Sequence, residues 1–145
     1  MLIQLLLGGG LTLATILVSA LSWWGLASLL QRLHPWSARP PHGPKLIAVL
    51  SLSLIWTLGM MTVAVWLWAT ALFQLEIFVT FEAAVYFALV AFTTLGFGDI
   101  LLPQDWRLLG GMAAANGLLL FGLLTAILVE TLRETRQRQR DGGLS

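Results

Sequence analysis

The chain has 145 residues, 58% of them hydrophobic and 10% charged, with a formal net charge of +1 and a mean hydropathy of +0.86. A soluble domain of this size carries about a quarter charged residues, so a soluble fold is excluded. Cysteine is absent, which excludes disulfides.

The charges are clustered. None lies between Met1 and Gln31, between Lys45 and Glu76, or between Arg107 and Glu130. Each gap exceeds the roughly 20 apolar residues that cross about 30 Å of hydrocarbon. The first gap predicts a membrane helix over Leu2–Leu30. It lacks the basic start and short apolar run of a cleaved signal peptide, so it reads as a retained span. Residues 31–45 read as a helix-free polar connector holding Pro35, Pro40, Pro41 and Pro44. A second span is expected over Leu46–Leu75. Thr80 suits an N-cap for a short helix over Phe81–Thr93, with Glu82 in its first turn. That helix measures roughly 20 Å at 1.5 Å per residue, too short to cross. Leu101–Asp105 reads as an external turn containing Pro103, Trp106–Glu130 as a third span, and residues 133–145 as a basic tail.

Basic residues favour the cytoplasmic side of a membrane. Arg32, Arg39 and Lys45 share the first connector, and Arg133, Arg136, Arg138 and Arg140 share the tail. Seven of the eight basic residues fall on one side if the chain spans three times and the short helix returns to the side it came from. The N-terminus is then outside and the C-terminus cytoplasmic. The outer side carries Glu76, Glu82, Asp99 and Asp105 against a lone Arg107, and an acidic mouth concentrates cations.

The short helix runs into Thr93-Thr94-Leu95-Gly96-Phe97-Gly98-Asp99-Ile100. Non-helical backbone is tolerated at membrane depth only where protein buries it or it lines a wet cavity. Gly96 and Gly98 alternate with Leu95 and Phe97, and glycine reaches backbone angles closed to other residues. The alternation can aim successive carbonyls at one axis while Leu95 and Phe97 point away into protein. Thr94 adds a hydroxyl, and the negative end of the short helix faces the same centre. Carbonyl rows of this kind replace the hydration shell of a cation. One chain supplies one wall, so the chemistry requires several copies. A plain glycine turn between membrane helices is the competing reading.

The stretch from Tyr86 to Asp99, Tyr-Phe-Ala-Leu-Val-Ala-Phe-Thr-Thr-Leu-Gly-Phe-Gly-Asp, resembles the pore helix and selectivity filter of the potassium channel superfamily, whose usual filter reads Thr-Val-Gly-Tyr-Gly-Asp. Thr94, Gly96, Gly98 and Asp99 match. Phe97 replaces the tyrosine and lacks the hydroxyl that ties the filter to its aromatic cuff; Leu95 replaces the valine packed behind it. Tyr86 and Phe87 stand where many members carry paired tryptophans. Residues 116–125 resemble the inner helix, with Gly117 at the hinge glycine and Leu118, Phe121, Thr125 and Leu128 on the stripe toward the cavity. The resemblance covers about residues 71–132 and leaves the first helix unexplained.

The resemblance implies an all-α membrane protein with three transmembrane helices, a re-entrant pore helix and a filter loop, assembled as a homotetramer around one pore. Residues 46–132 would form the pore domain. It implies passive K+ conduction in a cell membrane of bacterial type, with no cofactor and K+ as the permeant ion. The ion would be held by carbonyls of Thr94, Leu95, Gly96 and Phe97, with Gly98 completing the filter and Tyr86, Phe87, Glu82 and Asp99 supporting it. A weakly selective cation channel and a non-conducting regulatory subunit of the same fold remain as alternatives.

Other residues have more ordinary readings. Gly117 serves equally well as a hinge or for close packing beside Gly110, Gly111, Ala113, Ala114 and Ala115. Asn116 favours an interhelical hydrogen bond, and it lies about 180° from Thr125 around a helix. Glu82 favours a helix N-terminal charge. Trp23, Trp24, Trp36 and Trp106 suit interfacial anchors, while Trp56, Trp66 and Trp68 are expected to face lipid or a neighbour. The basic tail suits contact with anionic lipid, and nothing points to nucleic acid. His34 and His42 read as solvated connector residues. No Ser/His/Asp set, metal-ligand cluster or phosphate loop supports an enzyme, and no helix carries the spaced arginines of a voltage sensor.

Overall fold

The computed structural model describes residues 1–37 and 42–142, with side chains over 1–32 and 43–137. Arg39, Pro40 and Pro41 lie outside the described residues, as do the side chains of His34, Pro35, Trp36, His42, Arg138 and Arg140. The described residues form four α-helices: α1 (Leu2–Ser37), α2 (His42–Gln74), α3 (Phe81–Phe92) and α4 (Arg107–Gly142). A one-turn 3-10 helix, Gln104–Trp106, leads into α4. The described residues contain no strand. Leu2–Arg32, Gly43–Gln74 and Gln104–Gln137 are long and apolar enough to cross a membrane, each holding an 18-residue stretch whose mean hydropathy is 1.9, 2.1 and 2.1 in turn. The 12 residues of α3 extend about 18 Å, short of the roughly 30 Å hydrocarbon core.

The long helices outrun their expected ends. α1 continues past Leu30 to Ser37, α2 starts at His42 rather than Leu46, and α4 runs through the basic tail to Gly142. The connector over 31–45 is therefore mostly helical. Charge ends an apolar run but not a helix, and Gln, Arg and Glu are good helix formers. Pro44 sits in the first turn of α2, where its missing N–H is not needed. Pro35 falls in the last turn of α1, where it removes a single backbone bond.

The packing divides into two units, and the division falls within each long helix. The unit of Met1–Val18 with Met61–Gly122 buries Trp68, Leu72, Ala84, Ala88, Phe92, Leu109 and Ala113. Ala84, Ala88 and Phe92 recur every four residues, so α3 buries one stripe made mostly of small side chains. In this unit α1 lies along α4. Gln4 Nε2 donates to the Asp105 carbonyl. A Cβ on Gly8 would stand 2.5 Å from Met112 Sδ and 3.2 Å from Leu109 Cδ1. Asn116 Nδ2 donates to Thr15 Oγ1 at 2.9 Å, while the Thr15 hydroxyl has the Thr12 carbonyl at 2.8 Å and Asn116 Oδ1 at 3.1 Å as acceptors for its one proton. The two hydrogen-bonded pairs keep the same sequence separation of 101 residues, so α1 and α4 run in the same direction.

The unit of Ser19–Met60 with Leu123–Ser145 buries Leu26, Val49 and Leu124 among its described residues. Trp56 Nε1 donates to Ser22 Oγ at 2.7 Å, and the Trp56 ring lies against Gly25. In both units hydroxyls bond back to their own helices, as Thr12 does to Gly8, Ser53 to Val49 and Thr131 to Ile127. In apolar surroundings this satisfies them internally. Of the tryptophans expected to face lipid or a neighbour, Trp56 is half-buried and Trp68 is fully buried within the chain. Trp66 does face outward, 54% exposed.

Candidate functional site

α3 starts and stops by recognisable local rules. Thr80 is extended at φ −123° and ψ 146°, and its hydroxyl accepts from the Ala83 amide at 3.2 Å. Glu82 sits in the first turn, exposed, beside the positive helix end. At the other end Thr93 caps the helix. The Thr94 amide donates to the Ala91 carbonyl at 3.0 Å, and the Leu95 amide to the Val90 carbonyl at 3.1 Å. This pair of bonds is a Schellman cap, and it places Thr94 at φ +57°. Glycine usually occupies that left-handed position. A β-branched residue there is strained, by about 1–2 kcal/mol.

Positive φ then recurs at every second residue. Thr94 stands at +57°, Gly96 at +57° and Gly98 at +77°, whereas Leu95 and Phe97 keep ordinary negative values. In a β-strand, equal dihedrals make carbonyls alternate sides. Alternating the sign of φ turns successive peptides in opposite senses and lines their amides up on one side and their carbonyls on the other. A Cβ at Gly96 or Gly98 would meet nothing within 4 Å, so backbone conformation is what glycine supplies there. Residues 94–99 are all exposed on this chain. Leu95 and Phe97 are 59% and 66% exposed, so within their own chain they do not point into protein as the sequence led one to expect.

Asp99 closes the segment. Tyr86 Oη donates to Asp99 Oδ2 at 2.6 Å, and the Ile100 amide donates to Asp99 Oδ1 at 3.0 Å. The Tyr86 phenol, and after it the Ile100 amide, hold the Asp99 carboxyl below the usual carboxylate range against a partial desolvation effect. Two residues singled out from sequence, Tyr86 and Asp99, are thus brought together. Phe87 is not part of that contact. It packs on Phe78, with ring centroids 5.5 Å apart, and its Cζ would lie 3.1 Å from a Cβ on Gly110. Glu82 stays apart, at the far end of α3.

On α4 the open alternatives narrow. A Cβ on Gly117 would lie 2.5 Å from Phe92 Cα and 2.7 Å from its carbonyl carbon. Gly117 therefore lets the α3 backbone rest directly on α4, and α4 runs through it without a break. Asn116 is buried and pairs with Thr15, which is the interhelical bond expected of it. Leu118, Phe121 and Thr125 are exposed and Leu128 is half-buried, so the stripe expected at the cavity is left largely uncovered by its own chain.

A family model described as ion channel matches residues 60–134, just over half of the chain. The chain belongs to the ion channel family. This family is the two-transmembrane ion-channel domain of the potassium channel superfamily, and with three long apolar helices the protein is a membrane protein. Comparison with curated proteins and with solved structures found no match. The ion channel match takes in the second half of α2, all of α3, the segment at 94–99 and α4 as far as residue 134. It leaves out α1, whose Thr15 nevertheless holds Asn116 inside the matched region.

Sequence reasoning missed three residues: Trp68 and Phe92 within the matched region, and Thr15 outside it. Thr15 had a signal, because Gln4, Thr12, Thr15, Ser19 and Ser22 recur at helical spacing on an otherwise apolar segment. Trp68 and Phe92 had none, since each is one aromatic among many.

Proposed function

We propose that this chain is one subunit of a homotetrameric, potassium-selective channel, with Thr94–Gly98 as its filter. The observation that carries the reading is the alternation of left-handed backbone at Thr94, Gly96 and Gly98, directly after the cap of a helix too short to cross. Such a run can present the carbonyls of Thr94, Leu95, Gly96 and Phe97 to one axis, where they replace the hydration shell of K+ and hold several ions in file. Four copies close the ring. The bare surfaces at Leu95, Phe97, Leu118 and Phe121 are where neighbouring copies and the water-filled cavity belong.

The parallel course of α1 and α4 supports a re-entrant α3. If α1 and α2 each cross once, α2 ends on the side where α1 began. α4 begins on that same side, so the intervening residues, α3 included, return without crossing. The basic residues then place the N-terminus outside and the tail in the cytoplasm, near anionic lipid. Asp99, tied to Tyr86, braces the outer end of the filter. Phe97 favours a second reading, a weakly selective cation pore, because it has no hydroxyl with which to bond the filter to its surroundings.

The test is the reversal potential of the purified, reconstituted protein with K+ on one side and Na+ on the other. A value near the potassium equilibrium potential, lost in Gly96→Ala, is expected. A value near zero with measurable current would replace selectivity with the weakly selective reading. Absence of any cation flux would leave a non-conducting subunit.

A further inference from the structure

The feature that carries most beyond the filter lies behind it, at the last residue of α3. Phe92 is fully buried and is held from two sides. On α4, Gly117 receives its backbone. On α2, the Trp68 ring meets the Phe92 ring edge to face, with centroids 6.1 Å apart and planes at 71°. Trp68 heads the fully buried side chains by volume, yet its indole Nε1 has no hydrogen-bond partner. An unpaired buried N–H costs about 1–3 kcal/mol. Hydrogen bonding is therefore not what suits tryptophan to this position. What the indole supplies is a large, rigid face against Phe92.

The filter hangs from that point. Val90 and Ala91 accept the two cap bonds from Leu95 and Thr94, so the segment at 94–98 is tied to the last turn of α3. A shift of Phe92 carries the row of carbonyls with it. Neither Gly96 nor Gly98 has a neighbour against which a side chain could lean, and residues 94–99 are exposed. Within the chain, the segment is steadied by the Asp99 brace at its far end and by Phe92 at its near end.

We propose that Trp68 is a positioning residue for ion selection, acting through Phe92 on the carbonyl spacing of Thr94–Gly98. The inference rests on the potassium-selective reading above. A close fit between carbonyls and a dehydrated ion is sensitive to displacement, since a misplacement of about 1 Å can cost roughly a hundredfold in a positioned site. Trp68 touches no permeating ion, so its removal acts on the ratio of ions passed and not merely on the amount of folded protein.

The experiment compares K+ to Na+ permeability ratios, from reversal potentials, for the reconstituted wild type, Trp68→Phe and Trp68→Leu, each confirmed as assembled by size-exclusion chromatography. Trp68→Phe keeps an aromatic face and deletes the unpaired N–H, so the wild-type ratio is expected to survive. Trp68→Leu removes the ring, and the ratio is expected to fall about tenfold or more. If Trp68→Leu does not assemble, Phe92→Leu removes the other half of the same contact and decides in its place. An assembled ring-less variant with the wild-type ratio overturns the proposal, as does an equal loss in Trp68→Phe. A wild type that fails to prefer K+ overturns the underlying functional reading and this inference with it, and so is told apart from failure of the inference alone.

Discussion

The C-terminal ends of α2 and α3 close with the same cap. At α2 the Glu76 amide donates to Phe73 and the Ile77 amide to Leu72, with Glu76 at φ +55°. At α3 the Thr94 amide donates to Ala91 and the Leu95 amide to Val90, with Thr94 at φ +57°. Neither end uses the glycine such a cap prefers. The two ends differ in the backbone beyond the cap. After Glu76 the left-handed conformation does not recur before the next helix, and the cap is a stop. After Thr94 it recurs at Gly96 and Gly98, and the cap is the first step of a run. One local motif thus ends a membrane helix in one place and starts a line of carbonyls in the other. Only the second lies in the segment proposed as the filter.

The largest test of this contrast concerns what each end rests on. The backbone at the end of α3 sits on Gly117. Gly117→Ala forces two backbones apart and is expected to destabilise the protein by about 2–3 kcal/mol, read as a loss of thermal stability in detergent. An unchanged transition would show that α3 does not rest on α4 there.

Next in size is the strain itself. Glu76→Gly is expected to stabilise the protein by about 1 kcal/mol through relief of the left-handed penalty, with K+ flux into vesicles unchanged. Thr94→Gly relieves a similar penalty but removes the hydroxyl at the start of the proposed filter, so flux or selectivity is expected to change although stability does not fall. Equal functional effects from the two substitutions would erase the distinction between a stop and a run.

The smallest expected effect is at Asp99. Its folded-state pKa is lowered by the Tyr86 hydrogen bond, so its contribution to stability is fully present above its unfolded-state pKa of about 3.9 and is lost as pH falls through the lower folded value. Tyr86→Phe should therefore lie below the wild type by a constant amount between about pH 5 and about pH 8. The gap narrows only in stronger acid, as seen by unfolding at a series of pH values. A gap that widened in acid would mean that the bond favours the protonated carboxyl.

Much of the fold was legible because it derives from local chemistry. Three charge-free stretches set three spans, Thr80 set the start of α3, and Gly96 and Gly98 marked the alternation. Helix ends were less legible. Polar residues at Gln31 and beyond Glu130 continue their helices, since leaving the apolar layer does not break a helix and only caps or misplaced prolines do. The third left-handed position, Thr94, was hidden because nothing in a β-branched residue signals positive φ; the cap imposes it. Asn116 was suspected of a partner, but only packing named Thr15. Sequence leaves Trp68 facing lipid or a neighbour, because apolar helices show little contrast between faces and cannot say which side a membrane tryptophan takes.

The sequence by itself determined the membrane class, the number of long apolar helices, the short helix and the glycine alternation after it. Each rests on hydrophobic length or on backbone freedom, properties that a residue carries wherever it is placed. The tertiary structure alone decided that α1 runs parallel to α4, that Tyr86 reaches Asp99 while Phe87 turns to Phe78, and that Phe92 is held between Trp68 and Gly117. These are contacts between residues far apart in the chain. In a protein whose helices are apolar on nearly every face, close packing and a few hydrogen bonds choose among partners that hydrophobicity leaves equivalent.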